Sequence, residues 1–169
     1  IERLFAAAAG RRVPVFVHTR AFGVGPIREV VESASRVRAA LHVVHVNSSS
    51  LGDLPLSLAL IDSARAAGMD VTTEAYPYTA GSTRLESAMF NPGWQENLRV
   101  DYGDLAWPPT GERLTKESFE RYRKQGGWVV IHMMKEANVD SAITHAGVIV
   151  ASDGVPFVNG TGHPRGAGT

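Results

Sequence analysis

Val148-Ile149-Val150-Ala151-Ser152-Asp153-Gly154 is a run of four apolar residues that stops on an acid and a glycine. Apolar on both faces, the run reads as a buried parallel strand. An acid delivered at the carboxyl end of such a strand lies where α/β barrels carry their chemistry. Two upstream runs end in the same manner. Val13 to Val17 leads into His18-Thr19-Arg20, and Leu41 to Val46 carries His45 and leads into Asn47. Several strands tipped with polar side chains predict one active-site rim, cut open along the sequence.

The stretches between these strands have helical spacing. Residues 2–9 read as a helix stopped by Gly10. Residues 26–39 read as a second, with Pro26 in the first turn and Ile27, Val30, Val31, Ala34 and Val37 on one face. Residues 55–67 form a third, ended by Gly68, and Met69 to Ala75 is the next strand. Strand, helix, strand, helix, strand is the pattern of parallel α/β units. An open doubly wound sheet shares it, but there the polar tips would spread along an edge around one switch point. The convergent tips favour a barrel.

Residues 76–114 break the regularity. They are rich in Gly, Pro, Trp and Tyr, and a loop of that length is expected to be functional. We expect a lid insertion at about 84–114, with Trp94, Tyr102 and Trp107 excluding water. Thr115 is a good N-cap for a helix over 115–124. Trp128 to His132 reads as a strand and Val139 to Ala146 as a short helix. The chain opens in a helix and stops without a closing element. Residues 1–169 are therefore expected to be an internal piece of one larger barrel domain.

The chain has 17 basic and 17 acidic residues and no net charge, so electrostatics give no case for nucleic acid or an anionic membrane as partner. No apolar run approaches the roughly 18 residues of a membrane span. Cysteine is absent, which removes disulfides and thiolate ligands. Any metal here must be held by His, Asp, Glu or a modified Lys. No leader pattern follows Ile1, so a cytoplasmic setting is the default expectation.

Each candidate residue carries two readings. Asp153, at a strand mouth before Gly154, could take a proton from water and pass it to a leaving nitrogen; it could equally cap the next turn. His45 could bind a divalent metal as neutral imidazole, or sit in the core bonded to a carbonyl. By strand alternation it shares a face with Val43, and His42 faces the other way. His42, His132 and His145 are read as structural. Arg20 could clamp a carboxylate or lie on the surface. Glu74 could be a metal ligand, an orienting group, or half of an ordinary ion pair. Arg165, in His163-Pro164-Arg165 between glycines, could bind an anion. Neither Gly23-Val24-Gly25 nor Gly160-Thr161-Gly162 fits a nucleotide fingerprint.

Three motifs in order are specific together: Tyr76-Pro77-Tyr78-Thr79-Ala80-Gly81-Ser82-Thr83, Ser152-Asp153-Gly154 and His163-Pro164-Arg165. The set spans nearly the whole chain and resembles the N-acyl-D-amino-acid deacylases of the amidohydrolase superfamily. Thr-Glu-Ala before the Tyr-Pro-Tyr is similar to the D-glutamate deacylase-like branch.

The resemblance implies an enzyme: a metal-dependent (β/α)8 TIM-type hydrolase barrel, of which this chain covers roughly strands 4 to 8. It implies zinc-dependent hydrolysis of the amide of a small N-acyl-D-amino acid or related N-acyl compound. Asp153 maps onto the general base and acid, and His45 onto a zinc ligand. Arg165 would hold the substrate carboxylate, with His163 and Arg20 beside it, and Tyr78, Ser82 and Thr83 would line the pocket. His18 and Glu74 are the further candidate ligands. One or two zinc ions are implied, some of their ligands upstream of Ile1, because the family's His-x-His and its Cys or carboxylated Lys do not occur here. No His lies near Tyr76, where the superfamily usually has one. Two other functions share much of this pattern: a cyclic-amide hydrolase of the dihydroorotase or hydantoinase type, and a non-catalytic barrel that binds a small carboxylate.

Overall fold

A computed structural model of the chain describes residues 1–154. It begins with α1 (Glu2–Arg11), β1 (Val15–Val17), α2 (Val24–Arg36), β2 (Leu41–Val43), α3 (Val46–Ser50), α4 (Leu54–Ala66) and β3 (Val71–Ala75). Next come β4 (Ala80–Arg84), α5 (Trp94–Leu98), β5 (Leu105–Trp107), β6 (Glu112–Arg113), α6 (Lys116–Gln125) and β7 (Trp128–His132). Then follow α7 (Glu136–Ile143) and β8 (Val148–Val150). Two compact units result: Ile1–Pro77 with Glu136–Ser152, and Tyr78–Lys135 with Asp153 and Gly154.

The first unit is an all-parallel sheet in the order β1-β2-β3-β8. Val15 is in register with Leu41, Leu41 with Val71, and Thr73 with Val148. Because side chains alternate along a strand, Leu41, Val43, Val71 and Ala75 share one face. That face packs with Phe5 of α1, Ile27, Val30, Val31 and Ala34 of α2, Leu54, Leu58 and Ile61 of α4, and Ala142 of α7 in one core. The spacing of the α2 residues is the apolar stripe read from the sequence. Each Val, Leu, Ile or Phe among them, fully buried, contributes about 1.5–3 kcal/mol. The opposite face carries Phe16, His42, Thr72, Glu74 and Ile149 in register. Phe16 remains 65% exposed and Ile149 54%, so among the described residues no helix layer covers this side. Arg65 fastens the far strand: it donates to Val71 O at 2.9 Å and to Gly147 O at 2.7 Å.

The second unit is a sheet in the order β4-β7-β5-β6 with antiparallel pairing throughout. Its core joins Leu85, Phe90, Trp94, Leu98, Leu105, Trp107, Leu114, Phe119, Val129 and Ile131. Trp94 stacks on Phe119 at 5.3 Å and Trp107 on Tyr122 at 4.3 Å, pairs worth about 0.5–1.5 kcal/mol each beyond their buried area. Gly127 is required here. Its φ is 147°, and a Cβ would lie 2.4 Å from the Trp107 ring. Thr115 and Ser118 cap α6 reciprocally, as the Thr115 reading anticipated.

Several expectations are corrected. Trp128 to His132 is a strand, but it pairs antiparallel with β4 and β5, so the parallel sheet has four strands among the described residues, not five. Val129 and Ile131 are buried while Trp128 is exposed, the alternation of a one-faced sheet that an all-apolar run conceals. Residues 76–114 are not an irregular loop but hold β4, α5, β5 and β6. Trp94 and Trp107 are core residues of that unit, not solvent-facing lid aromatics. Helix α1 runs through Gly10 and ends on left-handed Arg12. Strand β2 stops at Val43 rather than Val46.

Glu86 ties the ends of β4 and β7 together. It accepts from Gly127 N–H at 3.0 Å and pairs with Arg84 at 2.7 Å. The Gly127 hydrogen bond first, then Glu86's own backbone N–H and the Arg84 side chain, pull its carboxyl from 4.5 to about 2. A carboxylate whose folded pKa is lowered stabilises above its unfolded value and loses that contribution as pH falls through the folded one. An acid titration of the second unit, followed by tryptophan fluorescence, is expected to lose stability between pH 4.5 and about 2. Glu86→Gln should flatten that part of the curve.

Candidate active site

The residues that follow β1, β2 and β3 meet in one place. Val44 N–H still reaches Val17 O at 3.2 Å, and then the backbone turns. His45 adopts φ 35°, ψ 60° and starts α3. A left-handed non-glycine residue costs about 1–3 kcal/mol and tends to persist at functional sites. Strand alternation therefore does not set the direction of His45; the turn does. It brings the ring edge-on to His18, the residue after β1, at 4.7 Å between centroids. Tyr76, the residue after β3, lies 6.2 Å from His45 and is buried. Asn47 in α3 holds the Tyr76 carbonyl through Nδ2 at 2.8 Å. His18, His45 and Tyr76 thus follow three successive strands to one spot.

His18 Nδ1 lies 2.8 Å from Thr19 O. A carbonyl only accepts, so Nδ1 carries a proton, and in the neutral ring Nε2 keeps the lone pair. That is the form in which neutral imidazole binds a metal or takes a proton.

Glu74 has a partner that the sequence did not reveal. His42 Nε2 meets Glu74 Oε2 at 2.5 Å, and His42 Nδ1 meets Thr72 Oγ1 at 2.7 Å. All three lie on the sheet face without helices, where Phe16 packs on the His42 ring at 4.7 Å. His42 is thus the group that positions Glu74. The signal was parity: residues 42, 72 and 74 share a face only once the register is known.

The remaining candidates disperse. Arg20 is 91% exposed and lies 3.8 Å from Glu29 on the surface. Ser82 donates to Val129 O at 2.8 Å and so holds β4 to β7. Thr83 neighbours it on β4, and Tyr78 opens the second unit. Asp153 is exposed, three residues beyond β8, and is left-handed at φ 45°. His163 and Arg165 lie outside the described residues. His145 pairs with Asp62 at 3.1 Å, in line with its structural reading, and burial keeps the His132 imidazole below its ordinary 6.5.

The donors suit zinc in kind. Two imidazoles stand side by side, one with its proton fixed away from Nε2. Among the described residues no group of three or more His, Cys, Asp or Glu could hold a metal ion. A catalytic zinc takes three protein ligands, so two imidazoles alone do not complete such a site.

No family model and no curated protein matches the chain. Solved structures do. The N-acyl-D-glutamate deacylase of Bordetella bronchiseptica, complexed with zinc and a phosphonate that mimics the tetrahedral intermediate, superposes with a TM-score of 0.73 at 26% identity. A D-aminoacylase described as defining a novel subset of amidohydrolases gives 0.69 at 23%, and one studied for its binuclear metal centre gives 0.69 at 22%. The chain resembles these amidohydrolases. The match covers 97% of this chain but only 37% of each of theirs. The two D-aminoacylases speak to the fold alone. The resemblance drawn from the Tyr-Pro-Tyr, Ser-Asp-Gly and His-Pro-Arg motifs is thus matched at the level of structure.

The turn that places His45 is braced from the preceding loop. Gly23 N–H donates to Ser49 O at 2.8 Å, and Val24 N–H to Asp53 Oδ2 at 3.2 Å. Gly23 sits at φ 96°, ψ −179°, a region open essentially to glycine, and a Cβ there would lie 2.8 Å from Asp53 Oδ2. Gly23→Ala is expected to cost about 2–4 kcal/mol in urea denaturation, from strain and crowding together. A loss under half a kilocalorie would show that the brace is dispensable.

Proposed function

We propose that the chain is an internal segment of a zinc-dependent amidohydrolase barrel that cleaves the amide of N-acyl-D-amino acids or close relatives. The observation that carries this is the meeting of His18 and His45 at the ends of adjacent parallel strands. The sheet supports the barrel reading: its strands follow chain order without the reversal of a doubly wound sheet. Helices cover one face only, as on the outer wall of a barrel. The likeness to a zinc-bound N-acyl-D-glutamate deacylase supports the substrate class.

In this reading His45 and His18 hold the metal together with ligands outside the described residues, and Glu74 stays paired to His42 rather than completing the set. Bound zinc supplies Lewis-acid polarisation and acidifies water. Asp153 accepts the proton of the attacking water as its oxygen bonds to the acyl carbon. The same carboxyl then gives that proton to the departing nitrogen as the C–N bond breaks. Arg165 holds the substrate carboxylate, with His163 beside it, and so selects the hand of the substrate. Tyr78, Ser82 and Thr83 are assigned to substrate binding.

The test uses the full-length protein that carries this chain. Elemental analysis is expected to find at least one zinc per chain, and N-acyl-D-amino acids should be hydrolysed in preference to their L forms. Asp153→Asn should keep the zinc and lose roughly 10²–10⁴-fold in kcat. A protein without zinc would instead be a carboxylate binder. Near-parent turnover in Asp153→Asn would remove the role given to that residue.

A further inference from the structure

We infer that Ser48 and Ser49 are positioning residues that lock the His45 ring with its proton on Nδ1 and its lone pair on Nε2. The inference comes from counting protons. Ser48 Oγ lies 3.0 Å from His45 Nδ1 and 3.2 Å from His45 O. Ser49 Oγ lies 3.1 Å from the same Nδ1 and 3.3 Å from Val44 O. Backbone carbonyls only accept, so each hydroxyl proton is directed to a carbonyl. Both hydroxyl oxygens then face Nδ1 as acceptors, and the proton between them belongs to the ring. This arrangement satisfies all four contacts with three protons, one of them shared. With the proton on Nε2, two hydroxyl protons remain for the same four contacts, and at least two go unmade.

Both serines are buried, at 4% and 2% exposure, where an unmade polar contact is costly. Bulk water has little access to substitute for either. The lock also explains the sharp turn. Left-handed His45 begins α3, and the first turn of α3 folds Ser48 and Ser49 back over the ring of the residue that precedes it. His18 reaches the same form through Thr19 O. Both imidazoles at the strand tips therefore present Nε2, by separate devices. A ligand's other ring nitrogen is commonly held by an outer partner that fixes its tautomer. The use of the lock for metal binding rests on the zinc reading above; the lock itself does not.

The experiment is long-range nitrogen–proton NMR of the imidazoles in the metal-free protein at about pH 8.5, where an ordinary imidazole is neutral. The His45 signals are assigned by their loss in His45→Asn. In the parent protein Nδ1 should be protonated and Nε2 bare. In the Ser48→Ala, Ser49→Ala double variant the proton should shift toward Nε2, and Ser48→Thr with Ser49→Thr should restore the parent pattern. Titration with zinc alone should be weakened roughly 10–100-fold in the double alanine variant. A parent His45 protonated on Nε2 overturns the inference without recourse to any variant. So does a double alanine variant that keeps the proton on Nδ1. A confirmed lock in a parent protein that takes up no zinc would overturn the metal reading and leave the lock standing.

Discussion

Parallel register is the constraint on which the site depends. Val15, Leu41 and Val71 lie side by side, so the strands that begin there end on the same side of the sheet. Whatever residue follows each strand is carried to that side whether or not it packs well. The helix-facing residues supply the stabilisation and the strand tips are left for chemistry. The division is visible in one strand pair: Leu41 and Val43 belong to the core, while His42 between them turns to the other face and meets Glu74.

The strand tips are where the backbone departs from its comfortable conformations. His45 and Leu51 both have positive φ, and they bracket the buried α3. Such conformations survive only when neighbours over-determine them. Here the neighbours are hydrogen bonds: Gly23 to Ser49, Asn47 to Tyr76, Asn138 Nδ2 to Leu51 O at 3.2 Å. Each contributes about 1 kcal/mol net, comparable in sum to the strain they offset. A segment of five residues could not hold such a shape by helix propensity, because nucleation alone is unfavourable. Its shape is imposed by contacts with α4, β3 and α7.

What the sequence disclosed followed from periodicity. The parallel strands, the α2 stripe and the cap at Thr115 depend on local spacing, and they are where spacing placed them. What it concealed depended on distant partners. The run Trp128 to Ile131 is apolar throughout, and only the pairing with Ala80–Arg84 makes it part of a one-faced antiparallel strand. That partner, Ala-Gly-Ser-Thr-Arg, has no apolar alternation to announce it. His42 was set aside because it sits at the start of its strand, yet register opposite Thr72 puts it on Glu74. Alternation does not place His45, since the strand ends two residues before it. The Ser48-Ser49-Ser50 run was plain in the sequence; nothing local said that its hydroxyls would turn back on a ring.

Two acceptor nitrogens cannot hydrogen-bond to each other. With Nδ1 protonated on both rings, His18 and His45 stand 4.7 Å apart and neither Nε2 can donate to the other. Folding has spent hydrogen bonds to arrange this, through Thr19 O on one side and two buried hydroxyls on the other. A structural histidine pair would more simply take opposite tautomers and donate one ring to the other. The arrangement becomes favourable when something electron-poor sits against both rings, since their rotamers and protons are already set and little ordering remains to oppose binding. Preorganisation of this kind is what the proposed zinc reading requires of these two strand tips.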